Sequence, residues 1–186
     1  DRSTWAGFEA RAREIEVRIV LQAPENRVPV DCDRDRMIQV VQNLLDNALK
    51  FSPRGSAVEL RVFPPGATQI NPDWVDQTDS AMSQLSDEMV LLEVADLGPG
   101  IPAEQKPLVF RRFHQVNNSG GRHPTGGVGL GLTICGEITE AHQGWMGLRD
   151  NDDKGCVFMV ALPAVEVAED PQSPTVGSLQ EHAVGT

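Results

Sequence analysis

The stretch that most constrains the fold of this chain is residues 33–51, with the sequence DRDRMIQVVQNLLDNALKF. When it is placed on a helix at about 100° per residue, its apolar side chains fall on one half and its polar side chains on the other. The pattern predicts an amphipathic helix packed on a core. On the polar half, Asn43, Asn47 and Lys50 follow i, i+4, i+7 spacing and form one narrow row.

This row of two asparagines and a lysine has two interpretations. Asparagine is unfavourable inside a helix because its amide competes for backbone hydrogen bonds. The row is therefore either a solvated face or a site for a divalent cation and phosphate. Amide oxygens are hard ligands for Mg²⁺, and a lysine one turn further on neutralises phosphate charge. The helix alone leaves both interpretations open.

The rest of the chain predicts strands and helices in mixed order around that helix. Alternating apolar and polar residues are typical of half-buried strands, and the continuous apolar run at 89–95 indicates a strand buried on both faces. The predicted elements are a short helix at 1–13, strands at 16–22, 28–31, 57–63 and 89–95, a helix at 129–142, and a final hairpin of strands at 144–149 and 156–162. This order predicts a two-layer α/β sandwich, a mixed β-sheet with helices on one face.

The net charge of −11 is concentrated in two segments without Lys or Arg, residues 64–89 and 164–186, which together hold nine acidic residues. Both segments are rich in Pro, Ser, Gln and Gly. We interpret the first as a long acidic insertion that joins the two strands of a hairpin, and the second as a mostly disordered tail or linker. The remainder is nearly balanced in charge, so the basic surface that nucleic acid requires is missing and no nucleic-acid partner is expected.

Neither a membrane span nor a leader peptide is expected. No apolar run approaches ~18 residues, and no charged segment precedes an apolar one near the start. We therefore expect one cytoplasmic domain without membrane contact of its own. Cys32, Cys135 and Cys156 are far apart and form no CxxC motif, which argues against disulfides and a zinc site and favours free, buried thiols.

The strand at 89–95 runs directly into Asp96-Leu-Gly-Pro-Gly-Ile-Pro102. Gly98 and Gly100 with two prolines make a rigid turn that lets a flat ligand approach the backbone closely. The turn has either a purely structural role or a binding role. In the second case Asp96 accepts a hydrogen bond from the exocyclic amino group of adenine, whereas guanine would place an acceptor there. One buried carboxylate would then select ATP over GTP.

A polar loop at 114–125 lies between Phe110-x-x-Phe113 and a glycine-rich segment at 126–132. The two phenylalanines are expected to anchor the entrance of the loop, because aromatics three apart are most often part of a core. Glycines at a helix entrance expose backbone N–H groups to an anion and add the helix dipole, which favours polyphosphate binding. A glycine-rich helix start without a ligand is the alternative.

In this order, Asn-x-x-x-Asn-x-x-Lys on a helix, a strand followed by DxGxG, Phe-x-x-Phe and a loop ending in GxGxG resemble the ATP-binding catalytic domain of bacterial sensor histidine kinases. That domain belongs to the superfamily of gyrase, Hsp90, histidine kinase and mismatch-repair ATPases, with the Bergerat ATP-binding fold. The stretches NLLDNALKFSP, DLGPGIP, VFRRFHQV and GGVGLGL are similar to its N, G1, F and G2 boxes. The resemblance covers residues 16–163.

The resemblance implies a mixed sheet under about three helices, with ATP between the sandwich and a flexible lid at 114–125. Residues 1–15 would then be the end of a preceding helical region or a linker, and 64–89 an insertion longer than this connection usually is. Asn47 with Asn43 would serve Mg²⁺, Lys50 would reach phosphate and Asp96 would read adenine. The complete implied nucleotide site is Asn43, Asn47, Lys50, Asp96, Gly98, Gly100, Ile101, Phe113, Gly127, Val128, Gly129, Leu130, Gly131 and Leu132.

The implied activity is transfer of the γ-phosphate of Mg·ATP to a histidine in two-component signalling. None of His114, His123, His142 and His182 has the sequence context of the family's phosphoacceptor, so that histidine is expected on a separate dimerisation domain of the parent protein. The other implied partner is the receiver domain of a response regulator. The parent would be a homodimer, cytoplasmic or tethered to the inner face of the membrane.

Two other functions from the same resemblance stay open. One is a nucleotide-binding regulatory module without transfer activity, and the other is an ATPase clamp of the gyrase and chaperone type. The clamps carry a glutamate that acts as general base at the position of Asn43, and an amide cannot take that proton. Cys156 stands where relatives often have Ser or Thr, which places any hydroxyl contact to the adenine edge in doubt.

Overall fold

Three helices and a mixed β-sheet form the described part of the chain. The computed structural model describes residues 2–67, 75–76, 88–115, 129–152, 154–165 and 180–182 of the 186-residue chain. The helices are α1 (Arg2–Glu14), α2 (Arg34–Phe51) and α3 (Gly131–Ala141), with a short 3-10 helix at Lys106–Leu108. The strands are β1 (Arg18–Ala23), β2 (Ala57–Phe63), β3 (Val75–Asp76), β4 (Met89–Ala95), β5 (Trp145–Asp150), β6 (Cys156–Pro163) and β7 (Gln180–His182).

The sheet has the order β3-β5-β6-β4-β2-β1-β7, with five longer central strands and a short strand at each edge. Strands β1 and β2 are parallel, and α2 is the crossover that parallel neighbours require. The other pairings are antiparallel. Strands β2 and β4 pair from Glu59↔Ala95 to Phe63↔Leu91, so the acidic insertion joins two neighbouring strands as predicted.

The main core lies between the helices and one face of the sheet. The apolar stripe of α2 is buried there, and Ala12 of α1 and Cys135 of α3 belong to the same cluster. Asp33 caps α2 by accepting hydrogen bonds from the backbone N–H groups of Asp35 and Arg36 at 3.0 and 3.1 Å. The buried residues of α2 are Val40, Leu44, Leu45, Ala48 and Leu49. The predicted α/β sandwich with helices packed on a mixed sheet is confirmed.

A second apolar cluster lies on the opposite face of the sheet, because successive side chains of a strand point to opposite faces. Its members among the described residues belong to β2, β4, β5 and β6. They are Phe63, Met89, Leu91, Ala95, Trp145, Val157, Met159 and Ala161.

Some predicted boundaries are corrected. Residues 28–31 do not form a strand, and their only ladder contact among the described residues is an isolated bridge between Val30 and Ala164. Helix α3 begins at Gly131, two residues later than predicted. In the segments at 64–89 and 164–186, β3 pairs with β5 and β7 pairs with β1. Among the described residues, no helix is both long and apolar enough to cross a membrane.

Candidate functional site

The start of α3 faces the polar row of α2. A Cβ placed on Gly131 would lie 3.9 Å from both the amide carbon and Oδ1 of Asn43. Burial raises the pKa of the Cys135 thiol, one turn further along α3, to about 11, and a hydrogen bond with the Asn43 side chain partly offsets that rise. The structure therefore brings the predicted metal ligand Asn43 to the N-terminal turn of α3.

The N-terminus of α3 differs from that of α2 in its capping. The side chain of its N-cap residue, Leu130, makes no capping hydrogen bond, and the first turn of α3 contains no acidic residue. The first backbone N–H groups of a helix have no partner within the helix, and together with the helix dipole they favour an anion. Leu130, Gly131 and Leu132 at this end are partly buried. This turn therefore has the local chemistry of a phosphate site beside Asn43.

Asn47 and Lys50 lie further along the same row of α2 and are partly buried. The ammonium of Lys50 lies 5.1 Å from the centroid of the Phe51 ring, which is a cation–π contact. Because Phe51 is 45% exposed, this contact lies at the surface and is weak enough to exchange for phosphate.

Asp96 lies directly after β4 and is 7% exposed. One carboxylate oxygen accepts a hydrogen bond from the N–H of Gly98 at 2.7 Å. Burial raises the pKa of Asp96, and the hydrogen bonds with the backbones of Gly98 and Cys156 partly offset that rise. A carboxylate has about four acceptor positions, so the bond to Gly98 leaves capacity for a second donor. The turn role and the adenine role are thus compatible in one side chain.

Glycines hold the turn after β4 tightly against its neighbours. A Cβ on Gly98 would lie 2.8 Å from Oδ1 of Asp96 and 3.0 Å from the carbonyl oxygen of Phe51. Gly155, with φ of +97°, approaches so closely that a Cβ there would lie 2.2 Å from the carbonyl oxygen of Asp96. Gly100 has φ of +78°. The turn is therefore fixed between the end of α2 and the β5–β6 hairpin, and Ile101 after it packs on the main core.

The β5–β6 hairpin contributes contacts that sequence reasoning missed. The side-chain amide of Asn151 donates to the carbonyl oxygen of Asp96 at 2.9 Å. Lys106, only 8% exposed, pairs with Asp150 at 2.6 Å and so ties the segment after the DxGxG turn to the same hairpin. These partners are 55 and 44 residues apart in sequence. In the sequence, Gly155 is the one residue that indicates a tight turn at this end of the hairpin.

Asn151→Ala is expected to weaken ATP binding if Asp96 has its predicted role, because Asn151 holds the turn that carries Asp96. It leaves the carbonyl of Asp96 without its side-chain donor, which costs roughly 0.5–1.5 kcal/mol. At 1.4 kcal/mol per tenfold, ATP affinity should fall by about 2- to 10-fold. Calorimetric titration with ATP measures this, with Lys154→Ala, an exposed position in the same turn, as the control. Equal ATP affinity in both variants would contradict a positioning role for Asn151.

The entrance to the loop at 114–125 differs from the prediction in one respect. Phe110 is buried in the core as expected, but Phe113 is 69% exposed, so its side chain does not anchor the loop. The backbone does this instead, because the N–H of Phe113 donates to the carbonyl of Gly129 at 2.9 Å. Gly129 has φ of +71°, and a Cβ there would lie 2.9 Å from the carbonyl oxygen of His114. Residues 116–128, with Gly127 and Val128 of the predicted site, lie outside the described residues.

The sequence of this chain is similar to proteins of one family. The model of the histidine kinase-, DNA gyrase B- and HSP90-like ATPases matches residues 32–166. The chain is 33% identical over 167 residues to the circadian input-output histidine kinase CikA of Thermosynechococcus vestitus, covering 89% of the chain and 20% of that protein. It is 31% identical over 158 residues to the sensor histidine kinase WalK of Bacillus subtilis, covering 85% of the chain and 23% of that protein.

Solved structures agree with this result. The mycobacterial sensor histidine kinase MprB is 26% identical, with a TM-score of 0.61 and coverage of 88% of this chain and 93% of that one. The catalytic domain of the histidine kinase ThkA, at 24% identity and a TM-score of 0.63, covers 87% of this chain and 88% of that one and supports the fold. The chain spans about one fifth of the length of the curated relatives CikA and WalK. It belongs to the family of histidine kinase-, DNA gyrase B- and HSP90-like ATPases and is an ATP-binding catalytic domain of the sensor histidine kinase type.

Proposed function

We propose that this domain binds Mg·ATP and transfers the γ-phosphate to a histidine on a separate dimerisation domain of its parent protein. The observation that carries the proposal is the approach of Asn43 on α2 to Gly131 at the uncapped start of α3. An amide oxygen and the first backbone N–H groups of a helix therefore lie close together. A Mg²⁺-bound polyphosphate needs both of these partners.

The amide row fits Mg²⁺ and no softer metal. Asn43 and Asn47 would offer Mg²⁺ neutral oxygen ligands, which this ion prefers to nitrogen and sulfur. Within the described ranges there is no cluster of three His, Cys, Asp or Glu side chains that would hold a metal by itself. Protein side chains alone would therefore bind Mg²⁺ weakly, and the ion would arrive with the nucleotide. When bound, Mg²⁺ neutralises charge on the phosphates.

The other residues divide the work of positioning and charge neutralisation, which phosphoryl transfer requires from a protein. Lys50 leaves the Phe51 ring and reaches phosphate, and the N-terminal turn of α3 binds phosphate through its N–H groups. The carboxylate of Asp96, oriented by the N–H of Gly98, accepts a hydrogen bond from the amino group of adenine, and Asn151 holds the backbone carbonyl of Asp96. Gly98, Gly100 and Ile101 line the base, and the segment from Gly129 to Leu132 lines the phosphates.

Hydrolysis by a clamp-type ATPase is disfavoured by the chemistry around Asn43. An amide does not accept a proton from water at neutral pH. The carboxylates of α2 lie elsewhere, since Asp35 is at its first turn and Asp46 pairs with Arg11 of α1. Helix α2 therefore lacks a general base for water at this position, which favours phosphotransfer over the hydrolysis carried out by the clamp-type ATPases.

The partners follow from the transfer reaction. We propose a homodimeric parent protein whose histidine-bearing hairpin receives the phosphate and passes it to a response-regulator receiver domain. The domain would work in the cytoplasm, either free or on a parent tethered to the inner face of the membrane.

The test of this function uses the chain with γ-labelled ATP, Mg²⁺ and the histidine-bearing hairpin of its own parent. We expect a phosphoryl group on the hairpin that is stable to alkali and labile to acid, and very slow phosphate release by the domain alone. Tight binding of Mg·ATP without transfer would identify a regulatory nucleotide-binding module instead. Rapid hydrolysis without the hairpin would identify an ATPase.

A further inference from the structure

Helix α3 buries few large apolar side chains. Its buried residues are small or polar, and such residues gain less from leaving water than leucine or phenylalanine does. Leu132 and Ile138 contact the main core but are only partly buried. The position of α3 therefore depends strongly on its hydrogen bonds with neighbouring elements. The buried residues of α3 are Thr133, Cys135, Gly136 and Thr139.

Two such hydrogen bonds lie in the first half of α3, and both end on backbone carbonyls. The hydroxyl of Thr133 donates to the carbonyl oxygen of Phe110 at 2.9 Å. The thiol of Cys135 donates to the carbonyl oxygen of Val40 on α2 at 3.8 Å, and a thiol is a weak donor. Neither contact holds the C-terminal end of α3.

His142, directly after α3, supplies a contact at that end. Its Nε2 accepts a hydrogen bond from the backbone N–H of Asp33 at 2.9 Å, and its Nδ1 lies 2.7 Å from the carbonyl oxygen of Ile138. A backbone N–H can only donate, and a carbonyl oxygen can only accept. The imidazole is therefore neutral in this arrangement, with its proton on Nδ1, and the lone pair of Nε2 faces α2.

The partner of His142 is held in place as well. Asp33 is the N-cap residue of α2, and its carboxylate accepts hydrogen bonds from the N–H groups of Asp35 and Arg36. Its carbonyl oxygen accepts from the N–H of Met37 at 2.9 Å, which is the first backbone hydrogen bond of the helix. The His142–Asp33 hydrogen bond thus joins the C-terminal end of α3 to a well-anchored residue at the N-terminal end of α2.

This hydrogen bond lies at the opposite end of the helix pair from the candidate phosphate site. Gly131 lies beside Asn43 at one end, and His142 binds Asp33 at the other. The two contacts are ten positions apart on α2 and eleven on α3, which corresponds to about 15–17 Å at 1.5 Å per residue. The two helices are therefore antiparallel and joined at both ends. Loss of the contact at His142 would leave α3 free to tilt about its phosphate end.

We propose that His142 is a positioning residue for phosphate binding. It holds the C-terminal end of α3 against α2 and so keeps the N-terminal turn of α3 beside Asn43. It acts through the helix, because the length of α3 separates it from the site. The inference rests on the phosphate-binding role proposed above for that turn, whereas the His142–Asp33 hydrogen bond can be tested without nucleotide.

The first test uses the unmodified chain without nucleotide. Side-chain ¹⁵N NMR at about pH 8, which keeps imidazoles neutral, distinguishes the two tautomers of histidine. The signals of His142 are those that disappear in the His142→Gln variant. We expect a protonated Nδ1 and an unprotonated Nε2. Averaged signals from exchange between the tautomers, or a proton fixed on Nε2, would overturn the proposal.

The second test compares ligands with and without phosphate. His142→Phe keeps a ring but loses both nitrogens, whereas His142→Gln keeps an acceptor for the N–H of Asp33. We expect His142→Phe to bind Mg·ATP about 2- to 10-fold more weakly, the range for one hydrogen bond, and to bind adenosine as before. His142→Gln should retain the ATP affinity of the unmodified chain, and so should the control Glu140→Ala, at an exposed position of α3.

Calorimetry measures the binding of ATP, and chemical-shift titration measures the weaker binding of adenosine. An unchanged ATP affinity of folded His142→Phe would contradict the positioning role. An equal loss of affinity for ATP and adenosine would contradict it too, because the effect would then not be specific to phosphate. Failure of the unmodified chain to bind Mg·ATP would instead refute the phosphate site itself, which distinguishes that result from the other two.

Discussion

Asp96→Asn is expected to lower ATP affinity by about 10- to 100-fold and to narrow or reverse the preference for ATP over GTP. A hydrogen bond to a charged group contributes roughly 1.5–3 kcal/mol, and 1.4 kcal/mol corresponds to tenfold. The N–H of Gly98 fixes the orientation of the new side chain, because it needs the oxygen that now accepts from it at 2.7 Å. The introduced NH₂ group then faces the base. It repels the amino group of adenine and suits the carbonyl of guanine.

The stability of the Asp96→Asn variant separates this role from a purely structural one. Burial raises the pKa of Asp96, so the folded domain binds the proton of this group more tightly than the unfolded chain does. At pH 7 the ionised carboxylate therefore reduces the free energy of unfolding, and this cost disappears as the pH falls through the raised pKa. The neutral amide removes the cost. We expect an equal or higher melting temperature at pH 7, and an unaltered ATP/GTP ratio would show that another residue reads the base.

Asn47→Ala is expected to abolish the gain in ATP affinity that Mg²⁺ provides and to reduce phosphotransfer to the hairpin by ~100-fold or more. A bound metal ion contributes several kcal/mol of charge stabilisation in the transition state, and each 1.36 kcal/mol is tenfold in rate. The fold should be unaffected, because Asn47 lies on the polar side of α2 and alanine has a higher helix propensity.

The matched control for Asn47→Ala is Gln42→Ala. Gln42 lies on the same helix, about 140° around its axis from Asn47. Titration with ATP in Mg²⁺ and in EDTA measures the metal-dependent part of the affinity for both variants. The control should keep it and Asn47→Ala should lose it. If Asn47→Ala keeps the full difference between Mg²⁺ and EDTA, the metal is held by other groups.

The elements best predicted from sequence are those whose signal is local. The amphipathic pattern of 33–51 gave α2 to within one residue, and β2 and β4 have the predicted bounds. The strand expected at 28–31 failed because a strand needs a ladder. Pro29 has no N–H to donate, and within the described part of the chain Val30 makes a single bridge, to Ala164. Ala164 is far from Val30 in the sequence, and no periodicity in the sequence indicates that the two residues pair.

The site shows the same division between local and distant signals. Asp96 can be predicted as a site residue from the sequence, because it directly follows an apolar strand and begins a glycine-rich turn. Asn151 cannot be predicted in this way, because its hydrogen bond to Asp96 depends on how the β5–β6 hairpin packs against that turn. The spacing of Phe110 and Phe113 predicts that both side chains anchor the loop entrance, yet a φ of +64° at Phe113 turns the chain and leaves its ring 69% exposed. A positive φ at a phenylalanine cannot be predicted from the residue type.

The hydrogen bond between the N–H of Phe113 and the carbonyl of Gly129 has a consequence for how this domain tolerates insertions and deletions. It fixes both ends of the connecting loop at one point of the sandwich. The entropic cost of closing a flexible loop rises by only ~0.6 kcal/mol when its length doubles. Residues can therefore be added or removed between His114 and Gly129 with little change in the free energy of folding. Relatives of this domain are expected to differ most in length here, and circular permutation at this loop should be tolerated better than in the DxGxG turn.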